Sequence, residues 1–301
     1  MELRSLDDLL VLYIKERMPS DDMVRQLEVV IRSLRSFTRS SLLDELTREA
    51  LFGWRDHLLK ERQVAVATWN NYLRHLKVLI NFAKDSGVLD FSLNGVKSLP
   101  DYKRGVRVLN DSHIQRIIGW LRHPEQEAMP GWFWESVCKM LYYSGMRRRQ
   151  LVGLCWRDID QGEGVIRLDA DSSKTKRAWS IPMTQPLSSV LADVHRMTRA
   201  INKPCNPNDQ VFNITLFNER YHGRRMTVDH VSAAFRRIRE KTGVDVSAHR
   251  FRHTFASQLA KQGRIRELQQ VLGHRDVRTT LGYVQPDMKG MSELMSGLST
   301  I

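Results

Sequence analysis

Two runs in the last third of the chain decide its reading: Ala248-His249-Arg-Phe-Arg252-His253-Thr-Phe-Ala-Ser257, and Leu272-Gly-His274-Arg-Asp-Val-Arg-Thr-Thr-Leu-Gly-Tyr283. His249 and Arg252 stand three apart, so they share a face at the start of a predicted helix over 249–262, where free backbone N–H groups favour an anion. Gly273 ends a second predicted helix, 265–272, and lets the chain turn so that His274 faces a pocket. Tyr283 follows nine residues later, in a short helix expected over 279–283. Arginines hold phosphate oxygens, imidazoles move protons and a phenol is a candidate nucleophile. A phenol with a pKa of about 10 needs neighbouring cations or a base to attack at neutral pH. Each element alone has an ordinary explanation: H-x-x-R is common, a lone histidine after a glycine is a helix cap, and a tyrosine at that place is half-buried core. His253 reads as a supporting or core residue that points away from Arg252.

Working upstream, Gly145-Met-Arg147-Arg148-Arg149-Gln150-Leu151 crosses from a predicted helix over 132–144 to the next, which brings Arg147 near exposed helix N-terminal amides. Between these stretches, Val165-Ile-Arg-Leu-Asp-Ala170 and Arg177-Ala-Trp-Ser-Ile-Pro182 read as two strands joined by the polar turn 171–176. That turn holds Lys174 and Lys176, which could enter a DNA groove or simply aid solubility. Helices are expected at 110–121, 187–201 and 227–242 as well.

The first 90 residues carry four amphipathic helices, over 5–18, 21–38, 41–59 and 68–85, the last opening at Thr68 and closing at Gly87. Asn71, Arg74 and Lys77 fall outside its apolar stripe and are candidates for phosphate contact. Residues 91–108 contain two Gly and a Pro, lack helical periodicity and carry Lys103, Arg104 and Arg107, which reads as a basic linker. The domain plan is therefore 1–90 helical, 91–108 linker, 109–285 catalytic and 286–301 tail. Charge follows the plan. Residues 1–100 hold 15 Lys/Arg against 14 Asp/Glu, and 101–301 hold 32 against 20, so the polyanion-binding bias lies with the candidate chemistry. Three cysteines without C-x-x-C spacing do not suggest a disulfide framework, and no apolar run reaches the roughly 18 residues of a membrane span. A cytoplasmic, nucleoid-associated protein is expected.

The order of these pieces, an Arg box, a hairpin Lys, H-x-x-R, L-G-H and a Tyr nine residues on, resembles the tyrosine recombinase or phage integrase family. Ser144-Gly-Met-Arg147 is similar to its first arginine box, and the runs around Arg252 and Tyr283 to its second arginine and nucleophile boxes. Ala67-Thr-Trp-Asn-Asn-Tyr-Leu-Arg-His-Leu is similar to its helical core-binding domain. The resemblance implies a mainly α fold with a small β-hairpin, built as a two-domain C-shaped DNA clamp of a helical core-binding domain and an α+β catalytic domain. It implies that Tyr283 attacks the scissile phosphate and becomes joined to the 3′ end, and that Arg147 and Arg252 bind the non-bridging oxygens. Lys174, seven residues before Ile181 in the family's register, would protonate the 5′-oxygen, with His249 as general acid/base and His274 as phosphate donor or tyrosine orienter. No metal and no nucleotide cofactor is implied. Arg148, Arg149 and Lys176 would add DNA contacts.

The partners implied are double-stranded recombination sites and further copies of the chain, assembled as a tetramer on two sites; an accessory protein is a further candidate. The tail, with Met288, Met291, Leu294, Met295 and Leu298 at helical spacing, would pack into a neighbouring protomer. Because the helical domain starts almost at residue 1, a compact Xer-like or transposon recombinase is expected. One departure stands out: Gln150 occupies the position, three after the first arginine, where the family usually has an acid. Three other readings compete. They are relaxation of DNA by a type IB topoisomerase-like enzyme, a non-catalytic DNA-binding regulator of the same fold, and a metal site built from His249, His253 and His274.

Overall fold

The computed structural model describes residues 4–89, 93, 95–101, 107–123, 130–168, 179–201, 203–221, 225–284, 292, 295 and 296, apart from the side chain of Asp44. The chain divides into two compact units, Met1–Lys103 and Arg104–Ile301. The expected linker straddles that division.

In the first unit, α1 (Leu6–Arg17), α2 (Asp21–Thr38), α3 (Arg48–Asp56) and α4 (Val66–Asp85) surround one core. The Ser5 hydroxyl accepts from the Asp8 N–H while the Asp8 carboxylate accepts from the Ser5 N–H, so α1 starts on a reciprocal cap. Leu9, Leu27, Leu51, Trp54, Trp69, Leu76, Leu79 and Ile80 are fully buried, and the indoles of Trp54 and Trp69 meet edge to face at 5.4 Å. The helix expected over 41–59 starts late, at Arg48. Leu42 bridges to Ser5, and Leu6 and Leu43 exchange backbone bonds with Ser41 and Arg4, so tertiary pairing takes the backbone groups that a helix there would use. At its other end α3 runs into a π-helical turn, His57–Glu61. Thr68 does not cap α4, which begins two residues earlier after Ala65 with no side-chain cap. The first half of the expected linker is held by this unit. Leu93 and Val96 are buried in its core, and the Asn70 amide both donates to the Leu99 carbonyl and accepts from its N–H.

The second unit is helical around a small sheet. It contains α5 (Asp111–Leu121), α6 (Gly131–Ser144), α7 (Arg148–Gly153), β1 (Ile159–Asp160), β2 (Val165–Leu168), β3 (Trp179–Pro182), α8 (Gln185–Ala200), α9 (Val228–Thr242), α10 (Ala248–Ala260), α11 (Ile265–Leu272) and α12 (Val277–Leu281). Asn110 caps α5 and Thr227 caps α9 through their side-chain oxygens. Helix α6 buries Phe133, Trp134, Val137, Cys138, Met140 and Leu141, apolar on several faces because it packs against α5, α8 and α10 together. The sheet is an antiparallel meander in the order β1-β2-β3, with Ile166 opposite Ile181 and Leu168 opposite Trp179. Only two residues long, β1 escapes periodicity. Among the described residues no helix is long and apolar enough to cross a membrane.

Candidate active site

Four short stretches of the second unit converge. Helix α6 stops at Gly145, whose φ of +62° suits glycine; a Cβ there would also lie 2.3 Å from the Phe255 ring. The chain then runs extended through Arg147, the cap residue of α7, and the Arg147 N–H donates to the Gln150 side-chain oxygen at 2.7 Å. Gln150 is 1% exposed. The position where a carboxylate was expected therefore holds an amide that closes the turn through its carbonyl oxygen. Two buried nitrogens of this turn, Nε2 of Gln150 and Nη1 of Arg147, have no hydrogen-bond partner among the described residues.

Arg252 lies on α10, which Ser247 caps, and is 3% exposed. Its Nη1 donates to the Gly145 carbonyl at 2.7 Å, and its Nη2 to the Leu272 carbonyl and His274 Nε2, both at 2.9 Å. Because His274 Nε2 accepts, Nδ1 carries the hydrogen and donates to Thr280 Oγ1 at 2.9 Å, on the fully buried Thr280 of α12. The arginine thus ties the end of α6, the end of α11 and the histidine turn to one guanidinium.

Tyr283 leaves α12 and is 7% exposed, packed with Ala256, Ala260, Leu268 and Leu272. Its ring stacks parallel to His274 at 6.2 Å and meets His253 at 5.4 Å, and the phenol lies close enough to Arg252 to favour the charged guanidinium. His253 in turn contacts His249 with ring centroids 4.0 Å apart. His253 has a supporting place, wedged between His249 and Tyr283, and its Nδ1 is buried with no hydrogen-bond partner among the described residues. The i, i+4 spacing of the two histidines was the signal available in the sequence, since such residues share a helix face.

Desolvated cations and neutral imidazoles set the electrostatics of the site. Burial and the charge of Arg147 lower the Arg252 pKa to about 10, against a partial offset from Tyr283, and burial lowers that of Arg147. Burial and then Arg252 bring His274 down to about 4. Burial and then His249 bring His253 to about 4, so both imidazoles are neutral at pH 7. His249 is exposed as a residue but desolvated at its ring, which with Arg252 and Arg147 holds it below the usual histidine range. Among the described residues no carboxylate contributes to the shift of any of these five groups. Two cations beside a phenol, one of them held by two carbonyls and an imidazole, have the charge to bind a phosphate.

The structure thus brings Arg147, His249, Arg252, His274 and Tyr283 together. Lys174, Lys176, Lys103, Arg104 and all of the tail except Ser292, Met295 and Ser296 lie outside the described residues. On the first unit, the Arg74 guanidinium donates to the Asn71 amide at 2.6 Å, and both line an open groove with Lys77, Ser98 and Asp101. Arg107 faces Asp245 at 3.6 Å, and Arg148 donates to the Ser232 hydroxyl. Arg149 is exposed. Among the described residues no three His, Cys, Asp or Glu side chains are grouped as metal ligands.

Comparison with known proteins agrees with this architecture. Residues 108–289 match the phage integrase family and residues 10–95 the phage integrase SAM-like domain, so the chain belongs to the phage integrase family. It is 30% identical to the "Putative tyrosine recombinase XerC" of Pseudomonas syringae over 98% of this chain and 64% of that protein. Its namesake in Pseudomonas aeruginosa is 27% identical over 88% of this chain and 65% of its own length. The chain therefore spans just under two thirds of these relatives. The fold is that of the Tn1549 transposon integrase bound to a circular intermediate DNA (TM-score 0.75, 20% identity, 98% of this chain and 100% of that one). It is also that of a lambda integrase tetramer on a Holliday junction (TM-score 0.71, 17% identity, 95% and 80%).

Proposed function

We propose that the chain is a site-specific DNA recombinase that breaks and rejoins strands through a phosphotyrosine. The observation that carries this reading is the Tyr283 phenol set against Arg252 and His274 beside a second, half-buried arginine, with no carboxylate among the described residues contributing to the electrostatics of the pair. Tyr283 Oη attacks the scissile phosphorus, forming the P–O(Tyr) bond as the bond from phosphorus to the 5′-oxygen breaks. Arg147 and Arg252 hold the non-bridging oxygens and stabilise the charge gained in the pentavalent transition state. Arg252 cannot turn away, because three acceptors fix it. His274, neutral and with Nδ1–H committed to Thr280, keeps both the arginine and the tyrosine ring in register. His249 serves as general acid/base for the nucleophile's proton, and Lys174 protonates the departing 5′-oxygen. The 5′-hydroxyl of a partner duplex then attacks the phosphotyrosine, restoring the phosphodiester and freeing Tyr283.

The substrate is double-stranded DNA carrying paired recombination sites, bound by a tetramer of the chain, with residues 286–301 packing between protomers. Asn71, Arg74, Lys77, Lys103, Arg104, Arg107, Arg148, Arg149 and Lys176 supply sequence-independent phosphate contacts, so binding weakens steeply with salt. The related transposon integrase and the XerC-like relatives support strand exchange over simple relaxation. Incubation with a nicked suicide duplex drawn from the gene's own neighbourhood is the test. A covalent adduct mapping to Tyr283 and lost in Tyr283→Phe is expected. Relaxation of any supercoiled plasmid without paired sites would instead point to a topoisomerase.

A further inference from the structure

Trp179 opens β3 and lies far in sequence from both arginines, yet it abuts the turn that holds one of them. Its indole Nε1 donates to the Val271 carbonyl at 3.2 Å. The edge of the same ring lies on Gly273, where a Cβ would come within 2.6–2.8 Å of Cζ2, Cε2 and Cη2. Gly273 has φ +62° and ends α11, so the turn 271–274 is both left-handed and packed against the indole. On its other side this turn supplies two of the acceptors of Arg252 described above, the Leu272 carbonyl and His274 Nε2. Cross-strand pairing of Trp179 with Leu168 fixes the indole to the sheet.

We infer that Trp179 is a positioning residue: by bonding Val271 and seating against Gly273 it sets the turn that aims Arg252 and His274, and thereby sets the rate of phosphoryl transfer. It touches no reacting atom. The inference rests on the roles proposed for Arg252 and His274. An indole is suited to the task because one rigid side chain combines a ring edge to seat against the glycine and a donor for the carbonyl. A displacement of about 1 Å in a group contacting the phosphate can cost on the order of a hundredfold in rate.

The experiment measures covalent-complex formation on suicide DNA at saturating duplex, together with Kd for that duplex, for wild type, Trp179→Phe, Trp179→Ala, His274→Ala and the double variant Trp179→Ala/His274→Ala. Trp179→Ala is expected to slow cleavage about 10- to 100-fold while Kd stays within roughly threefold. Trp179→Phe, keeping a ring over Gly273 and losing the donor, recovers part of the loss. The double variant should cost clearly less than the product of the singles, because both act through Arg252. A folded Trp179→Ala that cleaves at the wild-type rate, or losses that multiply, overturns the inference; if Trp179→Ala does not fold, the same cycle with Trp179→Phe decides it. Sulfate stabilisation, read as a shift in Tm, needs no recombination: Trp179→Ala should weaken it several-fold whether or not the wild type forms an adduct. A missing adduct alone would therefore count against the recombinase reading, and unchanged sulfate affinity against the role of Trp179.

Discussion

The second unit buries charge in two places and treats it in opposite ways. On α6, Glu135 is held by Arg122 through two bonds of 2.8 and 2.6 Å and by Lys139 at 2.7 Å. Its carboxyl is pushed below the usual range, first by Arg122, and Arg122 is pushed up by the same pair. At Arg147 and Arg252 the direction reverses: both guanidiniums are pushed down, chiefly by burial, and one bears a nitrogen with no partner among the described residues. Desolvating an uncompensated charge is costly, and the proposed phosphate contacts would offset that cost at the second cluster. The first cluster is structural; the second is the site proposed above.

Removing charge should break the two clusters differently. Arg147→Met and Arg252→Met are each expected to lower covalent cleavage by about a thousandfold or more, as loss of an oxyanion-stabilising donor does. Arg147→Met should leave Tm unchanged or raise it, because a buried cation with an unpaired nitrogen disappears. Glu135→Gln should do the reverse, losing about 1–3 kcal/mol of stability with cleavage at saturating DNA within about twofold of wild type. Thermal melts beside the suicide-substrate assay check all three, and a thermally fragile Arg147→Met would remove the contrast.

Anion binding sharpens it further. Sulfate at matched ionic strength should stabilise the wild type and Glu135→Gln by about 1.4 kcal/mol at ten times its Kd, read as a rise in Tm. Neither arginine variant should respond. Equal responses from all four proteins would place the sulfate elsewhere.

Much of this was legible in the sequence because the signals were periodic or positional. Most helices were marked by apolar spacing, and Arg147, His249, Arg252, His274 and Tyr283 stood in a recognisable order. What escaped depends on contacts between distant stretches. The late start of α3 follows from the pairing of residues 4–6 with 41–43. The seating of the histidine turn against Trp179 involves a residue about 90 positions away, which no local pattern reveals. The contact of His253 with Tyr283 also joins distant stretches, whereas its contact with His249 follows from a local i, i+4 relation. Gln150 looked like a loss, and the turn shows what an amide retains there: the bond to the Arg147 N–H needs only an oxygen.

The smallest expected effect separates the clusters by pH. His253 and His274 fall from the ordinary 6.5 to about 4 in the folded protein, so between those values the unfolded chain takes up protons that the folded one refuses. Their stabilisation is complete above about pH 6.5 and is lost as pH falls towards 4. Glu135 has the same sign in a lower window, because its stabilisation is complete only above the ordinary 4.5 and is lost below it. Tm should therefore decline in two stages. His253→Phe, which keeps a ring between His249 and Tyr283, should flatten the stage between pH 6.5 and 4.5, and Glu135→Gln the stage beneath it. A decline confined to pH below 4.5 in the wild type would mean that the imidazoles titrate normally, and that the arginine pair is less desolvated than its burial implies.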